Sequence, residues 1–130
     1  MIKTRGLTKT FPRGKGEAPV LAVDHLDLDV GQGEVFGFLG PNGAGKTTTV
    51  RMLTSLIGPT AGEASVAGFR VGQDDTDIRR NAGILTESPG LYERLSAWTN
   101  LEIFAHLYEV KDVPGQVEKY LRMLGLWDRR

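Results

Sequence analysis

Gly40-Pro41-Asn42-Gly43-Ala44-Gly45-Lys46-Thr47 is the stretch of this 130-residue chain that decides its fold, and it matches the pattern G-x-x-x-x-G-K-[ST]. Before it, Val35-Phe36-Gly37-Phe38-Leu39 contains no polar residue, which predicts a strand buried on both faces. After it, apolar residues recur at i, i+3 and i+7 from Val50 to Ile57, which predicts an amphipathic helix that ends before Gly58. A strand, a glycine-rich loop and a helix in this order predict an α/β fold around a phosphate-binding loop.

The residue types of this loop each suit the binding of a phosphate. Glycine allows a positive φ and lets a phosphate approach the backbone without a Cβ in the way. We expect the amides of residues 43–48 to surround a β-phosphate at the positive end of the helix. Lys46 is expected to bridge the β and γ phosphates, and the Thr47 hydroxyl to ligate Mg²⁺. The predicted nucleotide-binding residues of the loop are Gly40, Pro41, Asn42, Gly43, Ala44, Gly45, Lys46, Thr47 and Thr48.

The length, composition and charge of the chain exclude several classes of protein. A length of 130 residues predicts one domain or part of one. Lys plus Arg and Asp plus Glu number 16 each, so the broad positive charge used in non-specific nucleic-acid or membrane binding is missing and no nucleic-acid partner is expected. The absence of cysteine excludes disulfides and thiolate metal cages. No apolar run approaches the ~18 residues that would span a bilayer, and the N-terminus lacks a signal-like apolar core, so we expect a soluble chain.

Further strands are predicted on both sides of the loop. Residues 2–11 are rich in β-compatible side chains, and strict alternation over residues 26–30 predicts a half-exposed strand, antiparallel to a neighbour. Short strands are predicted at 64–69 and 82–86, with a brief charged helix at 75–80 between them.

Two helices are predicted near the end of the chain. Thr99-Asn100-Leu101-Glu102 fits a capping box, and a helix of about eleven residues is expected to follow it. Pro114 is expected to open a second helix that Gly125 ends. The apolar stripes of both helices are interpreted as packing faces. Neither a cap nor a polar tail follows the last residues, so we expect the chain to be truncated.

The loop sequence resembles that of a known family. Residues 40–48 read GPNGAGKTT and follow Gly33-Glu34 and a hydrophobic stretch, and residues 58–63 form a turn before a strand that reaches Gly68. This sequence resembles the first part of the nucleotide-binding domain of ABC transporters, and the resemblance covers the whole chain. It implies a P-loop NTPase fold with an incomplete parallel sheet core, an antiparallel β region and the start of a helical subdomain. On this basis residues 1–95 form an incomplete nucleotide-binding core, and residues 96–130 begin the helical subdomain that touches a membrane partner.

The resemblance also implies a contact with the base of the nucleotide. Residues 7–11 are similar to the stretch in which the family places an aromatic side chain, more often a tyrosine, against adenine. Phe11 would then stack on adenine. The alternative is an ordinary aromatic residue of a strand.

One position departs from the family pattern. The alignment through residues 83–87 places Glu87 where the family has the Q-loop glutamine. A carboxylate there can meet Mg²⁺ or water, but it cannot donate a hydrogen bond when ionised. The alternative is a solvated acid at the end of a strand. Glutamate followed by residues 88–92 resembles the branch that contains drug and antibiotic exporters.

Several catalytic motifs of the family do not occur in residues 1–130. No run of four hydrophobic residues ends in Asp-Glu, so the Walker B strand is missing, as are the signature motif and the switch histidine. His25 and His106 lie at other positions and are interpreted as structural or solvent-facing. We therefore expect binding of ATP and Mg²⁺ with little or no hydrolysis by these residues alone, and an exposed sheet edge that favours aggregation.

The resemblance implies the ATP-binding subunit of an ABC exporter, located at the cytoplasmic face of the membrane. Its implied partners are a transmembrane permease subunit and a second nucleotide-binding domain, in a homodimer or heterodimer. Three alternatives remain open. A GTPase would need an Asn-Lys-x-Asp motif, which is absent, and a DNA-repair ATPase of the wider ABC superfamily would need a long coiled-coil insertion, which is also absent. The third is a non-hydrolysing nucleotide-binding or interaction fragment.

Overall fold

A computed structural model of the chain describes residues 1–85 and 90–130. The chain divides into two compact units, Met1–Ile84 and Leu85–Arg130. Each unit is described by itself.

The first unit is built on an antiparallel sheet. Its strands are β1 (Ile2–Phe11), β2 (Val20–Val30), β3 (Ala61–Val66) and β4 (Phe69–Arg70), in the order β2-β1-β3-β4. The predicted strands at residues 2–11 and 26–30 are confirmed, although the second begins earlier than expected.

The strand predicted over residues 64–69 is in fact the end of β3, a turn and the short β4. The turn forms at Ala67 and Gly68, whose φ values of 53° and 91° are left-handed. A strand cannot continue through two left-handed residues, so the chain reverses there and β4 pairs with β3.

Two helices accompany the sheet. Helix α1 (Lys46–Leu53) ends before Ser55, which has a φ of 55°, and is therefore shorter than the predicted helix. Its buried Met52 packs with Leu7 and Val23 of the sheet. Helix α2 (Asp75–Asn81) confirms the predicted charged helix.

Two predicted strands are wrong. No strand is assigned at residues 35–39, where Val35 is 99% and Leu39 93% exposed. None is assigned at residues 82–85 either, which are the described part of the strand predicted over residues 82–86. A strand buried on both faces needs neighbouring strands and covering helices. The four strands described in residues 1–85 form one antiparallel sheet, and neither segment is paired with it. The predicted parallel pairing is therefore not formed within the described part of the chain.

The second unit is a pair of helices, α3 (Ala97–Leu107) and α4 (Val113–Met123), followed by a 3₁₀ turn at Trp127–Arg129. Pro114 in the first turn of α4 and the left-handed Gly125 after it confirm the predicted start and end. The core of this unit is formed by the buried residues Val113, Val117 and Leu121. They pack against Ala97, Trp98, Leu101, Ala105, Val110 and Trp127. The predicted packing faces are confirmed in part, because Leu101, Ala105, Val117 and Leu121 are packed. Of the other members, Tyr108, Tyr120 and Leu124 are exposed.

Helix α3 begins before the predicted capping box. Its cap is Ser96, whose Oγ accepts a hydrogen bond from the Thr99 amide at 3.1 Å. Asn100 then lies inside the helix and is buried. Its side chain accepts a hydrogen bond from the Tyr92 amide at 2.8 Å and donates to the carbonyl oxygens of Tyr92, Leu95 and Ser96. Asn100 therefore fixes the turn that leads into α3.

None of the helices within residues 1–85 and 90–130 has the length and apolar character needed to cross a bilayer.

Candidate functional site

The glycine-rich loop leads directly into α1, as the sequence predicts. Gly43 and Gly45 have φ values of 84° and 86°, a left-handed backbone that favours glycine. The Ala44 amide donates to the Pro41 carbonyl oxygen at 3.2 Å, which curves the loop. Residues 41–44 are exposed and Gly45 is partly buried. The outer part of the loop is therefore accessible, while its last glycine packs against the protein.

Gly45 packs against a β-bulge in β2. Lys9 pairs with Val23 and Thr10 pairs with Leu21, so Ala22 is the extra residue on β2. A Cβ on Gly45 would overlap the carbonyl oxygen of Ala22 and lie 3.2 Å from Cγ2 of Val23. Only glycine permits this approach, which fixes the start of α1 on the sheet.

The start of α1 has the properties of an anion-binding helix end. The cap residue is Gly45, which has no side chain to accept a hydrogen bond, and the first turn contains no acidic residue. The first intrahelical bond runs from the Thr49 amide to the Gly45 carbonyl oxygen at 2.8 Å. The amides of Lys46, Thr47 and Thr48 precede it, so helix geometry gives them no intrahelical acceptor. These amides and the helix dipole favour an anion at this point.

Lys46 closes the loop on itself. Its Nζ donates to the carbonyl oxygens of Gly40 at 2.7 Å and Pro41 at 2.8 Å. These bonds use two of the three donors of the ammonium group and place its charge at the mouth of the loop. Thr47 follows with an exposed side chain. Two consecutive residues at the start of α1 thus supply a cation and a hydroxyl.

Phe11 lies at the end of β1, on the face of the sheet that α1 covers. Leu7, Lys9 and Phe11 alternate along β1, and Leu7 is completely buried against Met52 of α1. Phe11 pairs with Val20, two residues before the bulge that supports Gly45. Since a strand rises ~3.3 Å per residue, the aromatic ring and the loop lie near the same end of this face. The Phe11 residue is 38% exposed.

The other residues singled out in the sequence do not join this site. Glu87 lies outside the described residues. His25 and His106 are both exposed, and Asp24 contacts Nδ1 of His25 at 2.5 Å. Among residues 1–85 and 90–130, no group of three or more His, Asp or Glu side chains is placed to hold a metal.

Sequence reasoning missed three contributors to the site. The bulge at Ala22 carries no signal in residue type, because its position depends on strand pairing. Thr49 is buried, and its Oγ1 donates to the Gly45 carbonyl oxygen at 3.0 Å. The position of Thr49 directly after Lys46-Thr47-Thr48 is the sequence signal from which this contact could have been predicted. The third contributor is Lys9, which lies next to Phe11.

Comparison with protein families identifies this arrangement. The ABC transporter family model matches residues 23–130. The bacitracin transport ATP-binding protein BcrA of Bacillus licheniformis is 40% identical over 126 residues, which are 97% of this chain and 39% of that protein. The ABC transporter ATP-binding protein YhcH of Bacillus subtilis is 39% identical over 130 residues, which are 99% of this chain and 40% of that protein. The chain therefore spans well under half the length of these relatives.

Solved structures agree with the fold. The ATP-binding cassette MJ0796, in a dimeric post-hydrolysis state bound to ADP and Pi, superposes with a TM-score of 0.76 at 24% identity, over 95% of this chain and 56% of that one. A second dimeric structure of MJ0796 gives a TM-score of 0.69 at 28% identity, over 82% of this chain and 47% of that one. The α/β P-loop NTPase fold is thereby confirmed. The loop at residues 40–48, the helix that follows it and these matches together show that the chain belongs to the ABC transporter family, as part of its ATP-binding domain.

Proposed function

We propose that this chain binds ATP with Mg²⁺ at the loop of residues 40–48 and forms the nucleotide-binding part of the ATP-binding subunit of an ABC exporter. The observation that carries the proposal is the loop itself. Its last glycine is fixed on β2, its lysine ammonium lies at its mouth, and a helix N-terminus stands behind it. These three features together favour a polyphosphate.

The phosphate chain would lie against the amides of residues 43–48. Lys46 would turn its ammonium from the carbonyl oxygens of Gly40 and Pro41 toward the β and γ phosphates. That exchange replaces neutral acceptors with charged ones, which form stronger hydrogen bonds. The bond from the Ala44 amide to the Pro41 carbonyl oxygen spans Asn42 and Gly43 and curves the outer part of the loop.

Mg²⁺ would take the Thr47 hydroxyl as one ligand. Phosphate oxygens and waters would complete its coordination, because Mg²⁺ prefers oxygen donors and keeps several waters. Glu87 is a second candidate ligand, proposed from its place in the sequence.

Phe11 would stack on the adenine ring. It lies on the same face of the sheet as α1, and stacking on an aromatic side chain contributes ~1–3 kcal/mol per base. The triphosphate and the base would thus bind near the same end of this face of the sheet.

The proposed partners are a transmembrane permease subunit and a second nucleotide-binding domain. The relative BcrA is named for bacitracin transport, and the neighbouring MJ0796 structures are dimers. The name of BcrA supports a role in the transport of an antibiotic. We propose that the direction is export and that the chain acts at the cytoplasmic face of the membrane. We propose that residues 1–95 belong to the nucleotide-binding core and residues 96–130 to the helical subdomain that meets the permease.

Equilibrium dialysis of the chain against ATP with Mg²⁺ tests the proposal. We expect saturable binding, competed by inorganic tripolyphosphate, with little or no release of phosphate. Folded protein that does not bind ATP at millimolar concentration would refute the nucleotide site. Turnover that Lys46→Ala abolishes would instead show that residues 1–130 suffice for hydrolysis.

A further inference from the structure

Lys9 contacts both the candidate base-binding ring and the segment that follows α1. Its Nζ lies 5.3 Å from the centroid of the Phe11 ring and donates a hydrogen bond to the carbonyl oxygen of Gly58 at 2.6 Å. Lys9 pairs with the buried Val23 and shares the face of β1 that carries Leu7. The stem of Lys9 lies along this face, while its ammonium reaches the exposed carbonyl oxygen of Gly58, as long charged side chains do.

The acceptor of Lys9 is itself held on β1. The Thr60 amide donates to the Thr8 carbonyl oxygen at 2.9 Å, and the Thr10 amide donates to Oγ1 of Thr60 at 3.0 Å. The hydrogen bonds of Thr60, two residues along the chain, therefore restrict the position of Gly58. The hydrogen bond of Lys9 therefore directs its ammonium to an acceptor that is held on β1.

The ammonium of Lys9 acts on the ring of Phe11. A cation within ~6 Å of a ring centroid attracts the negative face of the ring, and the distance here satisfies that limit. The attraction holds the ring toward Lys9. It also draws electron density from the ring, which favours stacking of an electron-rich purine against it.

We propose that Lys9 is a positioning residue for the base of the nucleotide, acting through the ring of Phe11. The inference rests on the proposed function, since it assumes that Phe11 meets the base. Lys9 contacts the Phe11 ring and Gly58, and neither belongs to the loop of residues 40–48. Its effect therefore appears in the binding of ATP and not in the binding of a triphosphate without a base.

The experiment compares the Kd of ATP with that of inorganic tripolyphosphate, both with Mg²⁺, in Lys9→Met and in the unsubstituted chain. We expect Lys9→Met to weaken ATP binding measurably, by up to about fivefold, and to leave tripolyphosphate binding unchanged. The full value of an exposed cation–π contact is the upper limit, because the contact with Phe11 also exists without ATP. Lys9→Arg keeps the charge and is expected to restore ATP binding. Lys3→Met is the matched control, because Lys3 is also on β1 but is exposed, with its Nζ 3.5 Å from Asp29.

A double substitution completes the test. In a Phe11→Ala background, Lys9→Met is expected to have no further effect on ATP binding. Equal weakening of ATP and tripolyphosphate by Lys9→Met, or no change in either, would overturn the inference. If the unsubstituted chain binds neither ligand, the proposed function fails instead. If Lys9→Met does not fold, the same two Kd values, for ATP and for tripolyphosphate, are compared in Lys9→Gln. This variant keeps a donor for Gly58 but carries no charge.

Discussion

Gly45, the last glycine of the loop, meets the carbonyl oxygen of Ala22, the extra residue in a bulge of β2. The start of α1 is thereby fixed on the sheet by backbone contact, without the help of a side chain. The loop depends on this contact for its position, because residues 41–44 are exposed.

Gly45→Ala is expected to damage the fold. The new Cβ would overlap Ala22, and a left-handed backbone costs an alanine ~1–2 kcal/mol on its own. We expect the free energy of unfolding, measured by urea titration, to fall by more than that amount. Gly43→Ala is the control, since its φ of 84° brings the same backbone cost but nothing lies within 4 Å of its Cβ. Equal losses in the two variants would show that the approach to Ala22 is unimportant.

Local signals in the sequence predicted much of this unit. The glycines of the loop, the strand at residues 2–11 and the charged helix at residues 75–80 depend on backbone preference and short-range periodicity, which can be read from neighbouring residues. The bulge at Ala22 could not be predicted in this way. It arises from the register between two strands, and a small apolar residue fits many registers equally well.

The two wrong strands failed for a related reason. An apolar run such as residues 35–39 indicates burial, but a strand forms only beside another strand. The pattern does not say whether that partner is present. The start of α3 was missed because Ser96 and Thr99 are both good caps, and the burial of Asn100 decides between them.

Lys46→Ala is expected to weaken nucleotide binding. The variant loses a charge-assisted contact of ~1.5–3 kcal/mol, which corresponds to roughly a ten- to hundredfold rise in the Kd of ATP. Isothermal titration calorimetry with Mg²⁺ measures the Kd of ATP. Lys15→Ala removes the same charge from the exposed connection between β1 and β2 and should leave the Kd unchanged. An unchanged Kd in Lys46→Ala would remove the lysine from the phosphate site.

Asn100→Ala is expected to loosen the turn before α3. It removes the acceptor of the Tyr92 amide and the donor to three carbonyl oxygens, at a cost of ~1–3 kcal/mol for buried groups left without partners. Hydrogen exchange at the Tyr92 amide should become faster. Asn81→Ala is the control, because Asn81 donates one exposed hydrogen bond, to Asp77 at 2.8 Å. Unchanged exchange at Tyr92 in Asn100→Ala would show that the turn does not need this side chain.

The exposed side chains of Val35 and Leu39 are expected to drive self-association of the chain. Residues exposed to 99% and 93% leave almost all of their apolar surface in water, and burial yields ~25 cal/mol per Å². Light scattering should therefore show a particle size that increases with protein concentration. Replacing both residues with Lys should reduce the growth, because it removes the apolar surface and adds two like charges that repel between copies. Replacing the exposed Leu107 and Met123 of the second unit in the same way is the control for added charge. Equal reduction by both pairs would mean that net charge, and not the surface at residues 35–39, governs association.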